Sequence, residues 1–125
     1  MSPSTVRLLA LRGAVTCDVD TVEEIDRKTQ WLVREMMDRN GIDHDDLVSI
    51  LFTATDDLHS RFPATAARGL GLGDVPLMCA RELDVVDGVA RCIRVMMHFH
   101  GAQPRSALHH VYLEGARVLR DDLPE

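Results

Sequence analysis

The chain has 125 residues, a length that suits one domain with a single hydrophobic core. Hydrophobic residues make up 46% and charged residues 27%, as in an ordinary globular protein, and no apolar run is long enough to cross a bilayer. The formal net charge of −6 disfavours nucleic acids and membranes as partners, because both select basic surfaces.

The cysteines and the basic residues limit the chemistry further. Cys17, Cys79 and Cys92 show no disulfide pattern, and the N-terminus shows no secretory signal, so we expect a reducing, cytoplasmic location. Because the overall charge is negative, an anionic ligand has to be held by a local cluster of cations. The basic residues are almost all arginines, and Lys28 is the only lysine.

The first half of the chain predicts a strand, a helix and a second strand. Residues 6–16 are apolar on both faces, which indicates an interior strand. Thr21 begins a helix, because Thr21 to Glu24 matches a capping box in which Glu24 reaches back to the cap. An apolar stripe at helical spacing continues to Asn40-Gly41, which ends the helix. Leu47–Ala54 predicts the second strand.

The second half predicts a short helix at residues 63–70, strands at 75–79, 89–99 and 109–113, and a last helical turn through Leu119. The order β-α-β-α-β-β-β-α indicates an α+β fold, a mixed β-sheet with its helices on one side. The strand at 89–99 is apolar on both faces, and so few helices cannot cover a whole sheet. Burial against identical subunits solves this problem, so we expect a cyclic oligomer.

Two arginines lie inside apolar strands and are the main candidates for function. Arg94 interrupts the run from Cys92 to Met97, and Arg12 interrupts the first strand. A guanidinium keeps its charge in essentially any protein environment, and burying one without a partner is very costly. An anionic partner is therefore expected at each, either a ligand or a protein carboxylate.

Internal ion pairs with Glu82 or Glu114 are the structural alternative for these arginines. For one such arginine the two interpretations are evenly matched. Two in separate strands, with Arg68 and Arg120 near the ends of other elements, favour an anion-binding site.

Three weaker patterns have simpler explanations. His98 and His100 alternate on one strand face and can share a metal, but no acidic or cysteine ligand is placed beside them, so hydrogen-bonded histidines are favoured and no metal is predicted. The glycines at residues 69–73 lack the spacing of a phosphate-binding loop. Cys79 and Glu82 suggest a nucleophile and a base, although a buried structural cysteine fits the periodicity better.

Six segments together resemble the trimeric α/β class of chorismate mutase, which is distinct from the all-helical class. The resemblance runs from about residue 9 to residue 123 and covers a single domain, residues 1–125. The segments that carry it are residues 11–16 (LRGAVT), 54–59 (ATDDLH), 62–64 (FPA), 75–76 (VP), 92–97 (CIRVMM) and 110–114 (HVYLE).

This resemblance implies an isomerase of the shikimate pathway that rearranges chorismate to prephenate, on the way to phenylalanine and tyrosine. It also implies a homotrimer with a pseudo-α/β-barrel core and active sites in clefts between subunits. The reaction is pericyclic, so it needs no cofactor, metal or nucleophile. That agrees with a chain in which no catalytic triad or metal motif stands out.

The resemblance also assigns the reaction centre. Arg94 matches the arginine that contacts the ether oxygen of the breaking bond, and Arg12 matches one that binds the substrate carboxylates. Tyr112 matches a tyrosine that holds a carboxylate through its hydroxyl. Glu82 and Cys79 match the pair that meets the ring hydroxyl. Arg94, Arg12 and Glu82 are therefore the predicted catalytic residues.

Further substrate-binding residues are implied at the edge of the cleft. Phe62 matches an aromatic wall, Arg68 and Arg120 match arginines near the entrance, and Leu119 lies beside Arg120 as a lining residue. The sequence departs from the family where Thr65 replaces a frequent lysine. It departs again at residue 78, where methionine replaces threonine, and its C-terminal tail is short. These departures bear on affinity more than on chemistry.

Two other functions remain open from the residues. One is a non-catalytic trimeric binding module for a small dicarboxylate metabolite, which needs Arg12 and Tyr112 but not Arg94 and Glu82. The other is a structural trimer whose arginines pair only with carboxylates of neighbouring subunits. The presence of both Arg94 and Glu82 favours the enzyme.

Overall fold

The computed structural model describes residues 5–119. Five strands and two α-helices make up most of it, joined by short 3-10 turns, of which the last, Glu114–Leu119, follows β5 directly. The strands and helices are β1 (Arg7–Thr16), α1 (Val22–Arg39), β2 (Leu47–Ala54), α2 (Pro63–Arg68), β3 (Leu77–Arg81), β4 (Cys92–Gly101) and β5 (Val111–Leu113).

The strands form one mixed sheet in the order β3-β2-β4-β1-β5. β4 runs antiparallel to both β1 and β2, whereas the outer pairs β1–β5 and β2–β3 are parallel. The predicted α+β class is confirmed. β1 is an interior strand, as predicted, since it pairs with β4 on one side and with β5 on the other.

The predicted cap of α1 is half confirmed. Thr21 is the N-cap, and its hydroxyl accepts a hydrogen bond from the backbone N–H of Glu24 at 3.1 Å. The Glu24 carboxylate bonds elsewhere: it accepts from the backbone N–H of Asp18 at 2.8 Å and from Arg27 at 2.7 Å. It therefore secures the chain just before the helix, a variation on the capping box.

Both helices pack on the same face of the sheet, as predicted. Alternate residues of β4 and β1 point into one core with the apolar stripe of α1 and the alanines of α2. At Gly13 a Cβ atom would lie only 2.5 Å from the Met36 sulfur, so the glycine permits close packing of α1 on β1. We refer to this covered side as the helix face of the sheet. The residues of the core include Leu9, Leu11, Ile25, Leu32, Met36, Phe52, Ala64, Ile93, Val95 and Met97.

The opposite side, which we call the open face, has no second layer within the chain. Arg94, Met96 and His98 of β4 are half-buried on this face, and Met78 and Leu8 at other positions on it are mostly exposed. Strand register places four residues in one row across it. The row comprises Tyr112 on β5, Ala14 on β1, Arg94 on β4 and Thr53 on β2.

Several strand boundaries differ from the prediction. β4 begins at Cys92 and not at residue 89, because Asp87 and Arg91 adopt positive φ angles of 67° and 46° that no strand accommodates. β3 begins at Leu77 because Val75 donates to a turn carbonyl. β5 covers only Val111–Leu113. Among the described residues, no helix is long and apolar enough to cross a membrane.

Candidate active site

A cavity of about 280 Å³ opens on the open face of the sheet. The row of Tyr112, Arg94 and Thr53 contributes its polar side chains, and the neighbouring row adds Arg12. Glu82 enters from the end of β3. Two arginines, one carboxylate and one phenol therefore converge because the sheet brings β1, β4, β5 and the end of β3 together on one face. A cavity with this mixture of charge suits a small dianion.

Arg94 and Glu82 form a long ion pair. The Nη1 atom of Arg94 lies 3.5 Å from Oε2 of Glu82, and the arginine side chain is 41% exposed. The ion pair with Glu82, which the sequence analysis gave as the structural alternative, is therefore present, at the limit of hydrogen-bonding distance. A guanidinium carries five N–H donors, so a single contact of this length leaves most of its donor capacity for a ligand.

Thr53 fixes the carboxylate of Glu82. Its hydroxyl donates to Oε1 at 2.6 Å, while the backbone N–H of Glu82 donates to the Ala54 carbonyl at 3.1 Å. One carboxylate oxygen is therefore held by β2, and the other faces Arg94. Sequence reasoning missed Thr53, because its place opposite Arg94 depends on strand register. The only local signal was a threonine alternating with apolar residues of the strand.

The backbone of Arg12 is hydrogen-bonded to a histidine side chain. Its backbone N–H donates to Nδ1 of His110 at 3.0 Å, so this ring nitrogen carries no proton. The prediction of a hydrogen-bonded histidine is confirmed for His98, whose Nδ1 lies 3.4 Å from the Ser49 hydroxyl. Tyr112, two residues after His110, is almost fully buried in a small cluster with Ala14 and Cys92. Residues 5–119 contain no cluster of side chains that could hold a metal ion.

A second group of predicted residues lies beside the N-terminus of α2. Phe62 and Cys79 line a cavity of about 500 Å³, and Phe62 is 71% exposed. Burial raises the pKa of the Cys79 thiol, while the Ala64 backbone N–H and the charge of Arg68 act to lower that pKa. A raised pKa means a protonated, weakly reactive thiol at neutral pH. This favours a hydrogen-bonding role for Cys79 over a nucleophilic one.

The two groups do not meet within one chain. Cys79 points towards the helix face and packs against the main core, whereas Glu82 lies with Arg94 on the open face. Within one chain, these two residues therefore line different cavities, on opposite faces of the sheet. Leu119, Glu82 and Arg94 together line a further cavity of about 190 Å³. Arg120 lies outside the described residues.

Comparison with known proteins gives one consistent result. The sequence model of a family described as chorismate mutase type I matches residues 8–123. Two similar relatives are named chorismate mutase AroH. The one from Bacillus subtilis is 46% identical over 114 residues, 90% of each chain, and the one from Thermus thermophilus is 43% identical over 90% of this chain and 93% of its own. A solved chorismate mutase structure from Clostridium thermocellum has 46% sequence identity and a TM-score of 0.86, covering 88% of this chain and 98% of that one.

Proposed function

Since the chain belongs to the type I chorismate mutase family, and is a chorismate mutase, we propose that Arg94, Arg12 and Glu82 are the residues that carry its reaction. The substrate is chorismate, a dianion whose enolpyruvyl side chain has to fold over the ring before the new carbon–carbon bond forms. The product is prephenate. The observation that carries this proposal is the position of Arg94, in one row with Tyr112 on an open sheet face.

The rearrangement involves no proton transfer and no covalent intermediate with the enzyme, so catalysis depends on positioning and on electrostatics. The carbon–oxygen bond breaks ahead of carbon–carbon bond formation, and negative charge grows on the ether oxygen. A cation fixed at that oxygen stabilises the transition state more than the ground state, without any reorganisation at the moment of reaction. We assign this role to the Arg94 guanidinium.

The other side chains of the open face hold the substrate. Arg12 and Tyr112 bind carboxylates, one through a guanidinium and the other through a phenolic hydroxyl. Glu82 orients the ring hydroxyl and, through its 3.5 Å contact, the guanidinium of Arg94. Thr53 holds Glu82 at 2.6 Å and so keeps both alignments. Fixing the folded substrate in this way contributes through proximity and orientation.

The working unit is a homotrimer with a pseudo-α/β-barrel core and an active site between each pair of subunits. Two features support this. The open face has no cover, and apolar side chains around it are strongly exposed, among them Met78, Leu83, Val86 and Val118. The two groups of site residues also lie on separate surfaces of one chain. A neighbouring subunit brings Phe62, Arg68 and Cys79 to the cleft that contains Arg94.

We further propose that residues 1–125 act as a single domain in the cytoplasm, in the pathway to phenylalanine and tyrosine. Thr65 on α2 lies with the residues that the neighbouring subunit presents, whereas Met78 on β3 lies on the open face. Thr65 supplies no cation to the substrate where relatives often carry lysine, and this lowers affinity more than turnover.

The function is tested by adding purified protein to chorismate and following the loss of chorismate absorbance. Turnover that saturates with substrate supports the enzyme. Saturable binding without turnover would instead identify a binding module for dicarboxylates. If the protein shows neither turnover nor binding, a structural trimer is the remaining interpretation.

The intersubunit site is tested by mixing two inactive variants, Arg94→Ala and Arg68→Glu, and refolding them together. If each site takes one arginine from each of two subunits, about a quarter of the sites in a 1:1 mixture regain both side chains. Sedimentation should give a mass of about three times 13.9 kDa. No recovery of activity would place the whole site within one subunit and contradict the proposal.

A further inference from the structure

The only lysine of the chain is one of its most deeply buried residues. Lys28 lies on α1 and is 2% exposed. Its Nζ donates to Oε1 of Glu114 at 2.9 Å, and it lies 5.6 Å from the centre of the Trp31 ring. A buried ammonium is costly unless it is paired. The mechanism described above does not use Lys28, so its presence calls for a different explanation.

Glu114 occupies a special position in the backbone. Its φ is +55°, a left-handed conformation that side chains other than glycine rarely adopt. The pKa of its carboxyl group is lowered, first by the hydrogen bond from Lys28 and then by the charge of that lysine. The next residue, Gly115, donates its backbone N–H to the Thr16 hydroxyl at 2.9 Å. The turn is thus held from α1 by an ion pair and from the end of β1 by a hydrogen bond.

This turn determines where the C-terminal 3-10 segment lies. Tyr112 precedes Glu114 by two residues, and the segment Glu114–Leu119 begins at the turn. Ala116 is fully buried in the cluster that contains Tyr112, and Leu119 packs against the same cluster. The direction of the chain at Glu114 therefore decides whether the segment closes over Tyr112 and the row of Arg94.

We propose that Lys28 is a positioning residue for the substrate site: through Glu114 it fixes the turn that places Tyr112 and Leu119 beside the substrate. The proposal rests on the proposed function for its kinetic consequence, but its structural consequence is independent of it. Lys28 does not touch the substrate. Lys28 lies on the helix face and, through Glu114 at the end of the sheet, affects the position of residues on the open face.

The kinetic test is Lys28→Met, which keeps the length of the side chain and leaves the half-exposed Glu114 carboxylate to water. We expect KM for chorismate to rise about tenfold while kcat stays within about twofold, the signature of lost binding that is shared by ground state and transition state. Tyr112→Phe in the same background should add less than its separate effect, because Lys28 acts partly through Tyr112. Glu114→Gln, which keeps an acceptor oxygen, should have a smaller effect than Lys28→Met.

Arg39→Met is the matched control, since Arg39 pairs with Glu35 on the same helix but at the surface and far from the turn. It should leave KM unchanged. An unchanged KM in Lys28→Met, or full additivity with Tyr112→Phe, would overturn the proposal.

Hydrogen exchange supplies a readout that does not need activity. In Lys28→Met, amides of Val111–Leu113 and Glu114–Leu119 should exchange about tenfold faster, whereas those of β4 should be unchanged. Equal protection of the C-terminal segment from exchange in wild type and Lys28→Met would contradict the positioning role, whatever the turnover assay shows. Absence of turnover in the wild-type protein would instead refute the proposed function alone.

Discussion

Replacing Arg94 with lysine should abolish most of the catalysis and leave the fold intact. The side chain lies on the open face, away from the core, and is 41% exposed. Its ion pair with Glu82 is 3.5 Å long, and a pair of this exposure contributes about 1 kcal/mol or less to the free energy of unfolding. The stability of Arg94→Lys in a urea titration should therefore lie within about 1 kcal/mol of wild type.

The effect on rate is expected to be much larger. Lysine keeps the positive charge but loses the planar, preorganised fork of N–H donors that the guanidinium presents to the ether oxygen. Removing one preorganised donor at a developing oxyanion costs roughly 3–4 kcal/mol, which corresponds to about a hundred- to thousandfold in kcat. The assay is the initial rate of chorismate loss over a range of substrate concentrations.

Arg39→Lys serves as the control, because Arg39 pairs with Glu35 on α1 at 2.9 Å and does not line the cavity. It should retain wild-type kinetics. Wild-type values of kcat and kcat/KM in Arg94→Lys would refute the assignment of the electrostatic role to this guanidinium.

The hydroxyl of Thr53 and the thiols of the three cysteines give three further predictions. Thr53→Val removes the 2.6 Å hydrogen bond to Glu82 and should lower kcat/KM about tenfold, whereas Thr53→Ser should stay near wild type; equal kinetics in both variants would contradict the role of the hydroxyl. Burial is the largest cause that raises the pKa of the Cys79 thiol, so Cys79 should react slowly with iodoacetamide at pH 7 and faster above pH 9. Prephenate should protect Cys79 from this labelling. Mass spectrometry that shows another cysteine labelled before Cys79 would contradict the prediction. Burial also raises the pKa of Cys17 to about 12 and that of Cys92 to about 11, so the unfolded chain releases these protons first as pH rises. The free energy of unfolding should then fall above about pH 9 by up to about 1.4 kcal/mol per pH unit for each thiol, and a slope unchanged by alanine at both positions would contradict this.

Local patterns were sufficient to predict most of the secondary structure. The helix cap at Thr21 and the interior character of β1 follow from residues close together in sequence. The start of β4 was wrong because it depends on the backbone of Asp87 and Arg91, which adopt positive φ without being glycine. No local rule marks such positions, since the surrounding contacts impose the conformation.

The candidate site was less accessible from the sequence. Apolar strands interrupted by arginine identified Arg94 and Arg12, because a charge in such a run needs an explanation. The contact of Thr53 with Glu82 joins residues 29 positions apart and depends on the register between β2, β3 and β4. A one-residue shift in that register would turn Thr53 to the helix face.

The ion pair of Lys28 with Glu114 had a detectable signal. Position 28 is three residues after Ile25 and four before Leu32, so the lysine falls on the apolar stripe of α1. A charge at a buried helical position predicts a partner, but not which one. Glu114 lies 86 residues away, in the left-handed turn after β5, so the contact depends on the tertiary fold.

In the proposed mechanism a permanently charged side chain faces the oxygen that becomes electron-rich as chorismate rearranges. A crystal structure with a bound bicyclic ether that mimics the transition state measures this directly. We expect a guanidinium nitrogen of Arg94 about 3 Å from the bridging oxygen of the inhibitor. An Arg94 side chain directed away from that oxygen, with another group in its place, would contradict it.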